Sequence, residues 1–83
     1  MQSHEEIFAA LREAMVELFE LESEAIVPEA KLFEDLELDS IDAVDLIDRV
    51  KRLTGKKLAV EDFKSVRTVG DVVEAVHKLV HAE

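Results

Sequence analysis

The sequence predicts an all-α protein, a four-helix bundle of three longer helices and one short third helix, with a long loop between helices one and two. Three observations carry the prediction. Apolar residues recur at intervals of three, four and seven along three separate stretches, which is the spacing that lines one face of an α-helix. Those stretches open on residues able to cap a helix, and one of them closes on a glycine. The chain has 83 residues, near the size at which one core only just suffices, and a single bundle is the economical way to build it. Residues 1–83 are therefore expected to form one domain.

Ser3 with Glu6 three residues later is a capping-box signal, and it opens an apolar face at Ile7, Leu11, Ala14, Met15 and Leu18. Helix one is predicted over roughly residues 4–21, with Glu5, Arg12, Glu13, Glu17 and Glu20 on its exposed side. Residues 22–38 hold no sustained helical period, and Pro28 cannot continue a helix from Ile26 and Val27. Ile26, Leu32, Phe33, Leu36 and Leu38 are too many apolar side chains for a solvated linker, so this loop is expected to be pinned to the bundle. Helix two is predicted from about Ser40 to about Thr54, with Leu46, Ile47, Val50 and Leu53 on one side. Lys51 and Arg52 suit its C-terminal dipole, and Gly55 stands just past its end. Leu58 and Val60 should anchor the next connection, and Glu61 to Val66 leave room for a short helix with Phe63 and Val66 inward. Thr68 and Asp71 signal another N-cap, followed by one apolar face of Val69, Val72, Val73, Val76, Leu79 and Val80. The β-branched content would also suit a strand, but spacing and cap favour helix four.

The chain has no cysteine, so disulfides, thiolate metal sites and a cysteine nucleophile are excluded and any thiol chemistry has to be imported. Residues 1–30 contain one Lys or Arg and no apolar run long enough for a signal peptide or a membrane span. A cytoplasmic location, or an organelle lumen after loss of a presequence, is expected. The net charge of −10 argues against nucleic acid as a partner, because a phosphate-binding surface needs clustered Lys and Arg. The charge is also uneven: residues 1–48 hold fifteen acids against two bases, and residues 49–83 hold five acids against eight bases. An acidic front attracts basic partners and raises association rates, beside its simpler use for solubility.

The chain is organised around residues 35–48, where one serine stands among regularly spaced aspartates at a predicted helix start. Asp39 is placed to cap the helix, which leaves the Ser40 hydroxyl free and facing solvent. Asp42, Asp45 and Asp48 fall three apart on another side of that helix from the apolar face. Unpaired N–H groups and the positive end of the macrodipole would favour a phosphate ester on Ser40.

The run LFEDLELDSIDAVDLI resembles the modification site of acyl carrier proteins, whose core is Asp-Ser followed by Leu or Ile and then a hydrophobic, acidic helix. The resemblance covers nearly all of the chain, including Phe33 and Leu36 before the serine and the order of the helices. It implies that 4′-phosphopantetheine is attached to Ser40 through a phosphodiester, next to Asp39, and that the arm's thiol holds acyl groups as thioesters. It implies a partner-binding face of Ile41, Asp42, Val44, Asp45 and Asp48, of which the acidic members are read by basic patches. The implied partners are a phosphopantetheinyl transferase and the acyl-loading, elongating and acyltransferase enzymes of fatty acid, lipid or polyketide synthesis; a monomer is expected. Three departures bear on partner choice. Glu37 stands where the family commonly has glycine, Asp48 where many members are apolar, and Lys51 and Arg52 where acids are usual. Arg49, Lys51, Arg52, Lys56 and Lys57 put five positive charges into nine residues, from which selective downstream use is expected.

Other chemistries fit less well. A calcium loop starting at Asp35 asks for glycine where Ser40 stands and glutamate where Leu46 stands. His77 and His81 are four apart and could share a metal, but Lys78 follows His77 where a zincin motif has glutamate, and charge complementarity to the helix end is the simpler reading. No metal is assigned. Ser40 has no histidine nearby in sequence and no Gly-x-Ser-x-Gly elbow, so no catalytic residue is assigned and the chain is not read as an enzyme. Two alternatives stand beside the acyl carrier: a peptidyl or aminoacyl carrier, and an unmodified interaction module using the same face of helix two.

Overall fold

The structure is a computed structural model that describes residues 3–81, with the side chain of Val60 excepted. Helix α1 (His4–Phe19) starts at Ser3, whose Oγ accepts from the Glu6 N–H at 3.1 Å while Glu6 Oε1 accepts from the Ser3 N–H at 3.3 Å. This reciprocal cap satisfies two backbone donors that the first turn leaves open. Ile7, Leu11, Ala14 and Met15 are buried, whereas Leu18 is half-buried. The helix ends two residues earlier than the spacing predicts, because Glu20 turns left-handed at φ 54°. Leu21 still packs on the core from outside the helix.

The long loop carries one 3₁₀ turn (Ser23–Ala25) and is pinned as expected by Ile26, Leu32, Leu36 and Leu38, all 1–6% exposed, together with Ala30. Phe33 is the exception: it is half exposed, while its neighbours Leu32 and Leu36 are the side chains that the loop turns into the core. Backbone bonds fix the same segment to the start of the last helix. Leu32 N–H donates to Arg67 O at 2.9 Å, Val69 N–H to Ala30 O at 3.0 Å and Gly70 N–H to Pro28 O at 2.9 Å, around a Lys31–Thr68 antiparallel bridge. The loop thus supplies acceptors for N–H groups that a helix start cannot satisfy internally. It also approaches so closely that a Cβ on Gly70 would lie 3.1 Å from Pro28 O.

Helix α2 (Ser40–Thr54) buries Leu46, Ile47 and Val50, and it stops at Gly55, which takes φ 75° and donates to Lys51 O at 2.8 Å. Leu53, expected inward, is 38% exposed in the last turn, beyond the part of α2 that faces the core. Leu58 is buried; the Val60 side chain lies outside the described residues. Helix α3 (Val60–Lys64) is shorter than residues 61–66. Ser65 ends it by donating from both N–H and Oγ to Asp62 O, and Val66 packs inward after the helix has finished. Helix α4 (Val69–His81) also begins with a reciprocal cap: Asp71 Oδ2 accepts from Thr68 N–H at 3.2 Å and from Arg67 N–H at 3.0 Å, and Thr68 Oγ1 accepts from Asp71 N–H at 3.2 Å. The backbone donors of Arg67 and Thr68 hold the Asp71 carboxyl below its usual pKa. Val69, Val72, Val73 and Val76 are buried, and Leu79 and Val80 are partly so. Packing of α1 on α4 and on α2, with α3 against α4, closes the all-α bundle around one core.

Candidate functional site

The start of α2 is built by two aspartates. Asp39 is extended at φ −115° and ψ −175°, and its Oδ1 accepts from the N–H groups of Ile41 and Asp42, each at 3.0 Å. Asp42 Oδ2 in turn accepts from the Asp39 N–H at 3.2 Å, so the cap is reciprocal. Sequence reasoning places Asp39 in this role and misses the second half, in which Asp42 serves the fold as well as the surface. The signal was available, since Asp39 and Asp42 have the spacing of a capping box with Asp in place of Glu.

Ser40, the first residue of the helix, is exposed, and its hydroxyl makes no hydrogen bond among the described residues. The free N–H groups of the first turn, those of Ile41 and Asp42, are already taken by Asp39. Ser40 therefore offers an uncommitted oxygen at the positive end of a helix dipole, with no side-chain base bonded to it. It suits a phosphodiester made by another protein better than a hydrolytic reaction of its own. Ile41 and Val44 project beside it, 73% and 62% exposed, on the side of α2 away from Leu46, Ile47 and Val50. Asp45 and Asp48 are exposed on the same helix. The structure thus brings the Ser40 hydroxyl, two apolar side chains and the acidic strip onto the open side of one helix.

The chain matches a family model described as a phosphopantetheine attachment site over residues 9–76. It is also 49% identical over 77 residues to "Acyl carrier protein 2" of Ralstonia nicotianae, an alignment spanning 93% of this chain and 95% of that protein. The chain belongs to the acyl carrier protein family. Other relatives are a "Meromycolate extension acyl carrier protein" of Mycolicibacterium aurum, 36% identical over 93% of this chain and 79% of that protein, and the "Acyl carrier protein" of Thermotoga maritima, 36% identical over 94% and 96%. Membership makes this chain a carrier of acyl groups in fatty acid or lipid synthesis, with phosphopantetheine as its prosthetic group, and it implies work with the enzymes of that synthesis. The site fits the arm: it combines an exposed hydroxyl, a filled cap and open surroundings.

Part of the basic run that follows the acids of α2 is engaged within the molecule. Arg49 pairs with Glu17 of α1 and Arg52 with Asp48, both at 3.7 Å, and Lys56 Nζ donates to Leu79 O at 3.4 Å. Away from Ser40 in the chain lies a cluster that the sequence pairs only in part. The His77 ring stacks on His4 at 3.9 Å and meets His81 at 4.2 Å, and His4 Nε2 reaches Glu74 at 2.8 Å. Nothing local signals His4, because it joins α4 only through helix packing. Among the described residues no group of three or more metal-ligating side chains is arranged to hold an ion, and no helix is long and apolar enough to cross a membrane.

Proposed function

We propose that Ser40 is the residue that carries 4′-phosphopantetheine, and that the chain is one carrier domain over residues 1–83 which presents acyl groups to separate enzymes and catalyses no step itself. The observation that carries this reading is the free Ser40 hydroxyl on the first turn of α2, released from capping by Asp39. When bound, the arm supplies a terminal thiol that holds acyl groups as thioesters. Asp39 and Asp42 hold the first turn in place, so the serine is presented from a fixed element. Asp45, with Asp42 and Asp48, gives basic partners a charged strip to find, and Ile41 and Val44 give them apolar area to bury. The partners of this reading are a phosphopantetheinyl transferase and acyl-loading, elongating and acyltransferase enzymes with basic docking patches. It acts as a cytoplasmic monomer that binds no nucleic acid.

Intact mass decides the assignment. With a phosphopantetheinyl transferase and coenzyme A, the protein should gain one phosphopantetheinyl mass and Ser40→Ala should gain none. Label on the Ser40→Ala protein would move the site elsewhere, with Ser3, Ser23 and Ser65 as the remaining serines.

A further inference from the structure

Phe33 breaks the pattern of its surroundings. The chain has four phenylalanines; Phe63 is buried, Phe8 and Phe19 pack partly buried against the core, and Phe33 is 50% exposed. Half of this ring is left open to solvent, and aromatic area of that kind is what protein interfaces are enriched in. The backbone that carries it is fixed. Lys31 N–H donates to Asp35 Oδ2 at 2.8 Å, and the N–H groups of Asp35 and Leu36 both donate to Lys31 O, at 2.9 and 3.1 Å. Leu32 and Leu36 are anchored in the core on either side of the turn. Burying the ring against a partner therefore requires no ordering of the loop, which is one of the main costs of association.

The turn is also tied to the modified end of the molecule. Leu38 N–H donates to Leu32 O at 3.0 Å, so Phe33 follows one end of this bond and Ser40 lies two residues past the other. Bond lengths then keep the two Cα atoms within roughly 15 Å of each other. A protein that docks well enough to act on Ser40 covers about 800 Å² of this chain, a patch of roughly 16 Å radius. Phe33, Ile41 and Val44 are exposed large hydrophobics within that reach. The Lys31 and Glu34 charges beside the ring pair with each other at 3.3 Å. The ring also borders a shallow recess of about 190 Å³ formed with Lys31, Glu34 and Arg67.

From this we infer that Phe33 is a specificity-determining contact, the aromatic anchor by which the phosphopantetheinyl transferase seats itself when it acts on Ser40. The inference rests on Ser40 as the modified residue. The occupant is an enzyme with basic side chains facing the α2 acids and an apolar pocket facing the loop. Aromatic side chains in such positions commonly carry a large share of binding energy, and truncating one costs about tenfold or more in affinity.

The test is steady-state modification by a phosphopantetheinyl transferase and coenzyme A, read by intact mass, for wild type, Phe33→Ala and Phe33→Trp. Phe33→Ala should lose about tenfold in kcat/KM, mainly through KM, at an unchanged melting temperature, and Phe33→Trp should stay near wild type. Rates for Phe33→Ala equal to wild type would overturn the inference. So would a large drop in its melting temperature, since the ring would then serve the fold. A wild-type protein that gains no mass at all would instead refute the carrier site itself.

Discussion

Glu37 holds φ at 55°, in the left-handed region, three residues before Ser40 and between the buried Leu36 and Leu38. A side chain with a Cβ costs about 1 kcal/mol or more in that conformation, which glycine adopts without that penalty. Glu37→Gly should relieve the strain and, after glycine's larger loss of chain entropy, raise stability by about 0.5 kcal/mol. Urea midpoints measure it. Glu37→Ala keeps the Cβ and should gain nothing, so an equal gain for Ala would trace the effect to the lost charge. Ser40 shows the opposite economy: nothing in the fold depends on its hydroxyl, which leaves the oxygen for modification.

At the scale of the element, α2 does two jobs with one set of acids. Asp42 sits in the acidic strip and also accepts from the Asp39 N–H, whereas the carboxylate of exposed Asp45 makes no hydrogen bond among the described residues. The two positions therefore separate recognition from folding. Asp45→Lys should slow transferase modification in low salt, through association, while the melting temperature holds. Asp42→Lys should slow modification too but also lose about 1 kcal/mol of stability, because half of the cap is gone. Equal modification rates for wild type and Asp45→Lys at low ionic strength would reduce the strip to a solvated surface. In the basic half of α2, Arg49 and Arg52 are paired within the molecule, with Glu17 and Asp48.

Across the whole molecule, the contact of α1 with α4 brings three histidines together. His77 is half-buried among them, and loss of hydration, followed by the charges of His4 and His81, holds its pKa below the ordinary 6.5, while Glu74 works in the other direction. A histidine with a lowered pKa binds its proton more readily in the unfolded chain. Its contribution to stability is present above pH 6.5 and is lost as the pH falls through the depressed folded-state value. The melting temperature should therefore fall between about pH 7.5 and pH 5. His77→Gln should flatten that dependence, and a variant with the wild-type slope would assign the loss to other groups. The Asp71 carboxyl adds a further loss at lower pH, as it protonates below the ordinary 3.8.

What the sequence determined by itself was most of what neighbours in the chain govern. Ser3 with Glu6, Asp39 before Ser40, Gly55, and Thr68 with Asp71 mark helix ends because a cap needs partners only two to four residues away. The apolar intervals gave the inward faces of α1, α2 and α4 for the same reason, and with them the open side of α2 where Ser40 stands. The tertiary structure decided what depends on distant chain. Phe33 and Leu53 are as apolar as their buried neighbours Leu32, Leu36 and Val50, and only the assembled fold leaves them outside. Pro28, Ala30 and Leu32 read as loop, yet their backbone groups bond to Gly70, Val69 and Arg67 across the fold. His4 joins His77 only once α1 lies against α4. Periodicity reports which face of a helix is apolar, but how much apolar surface the core can take is settled by the volume that the other elements leave free.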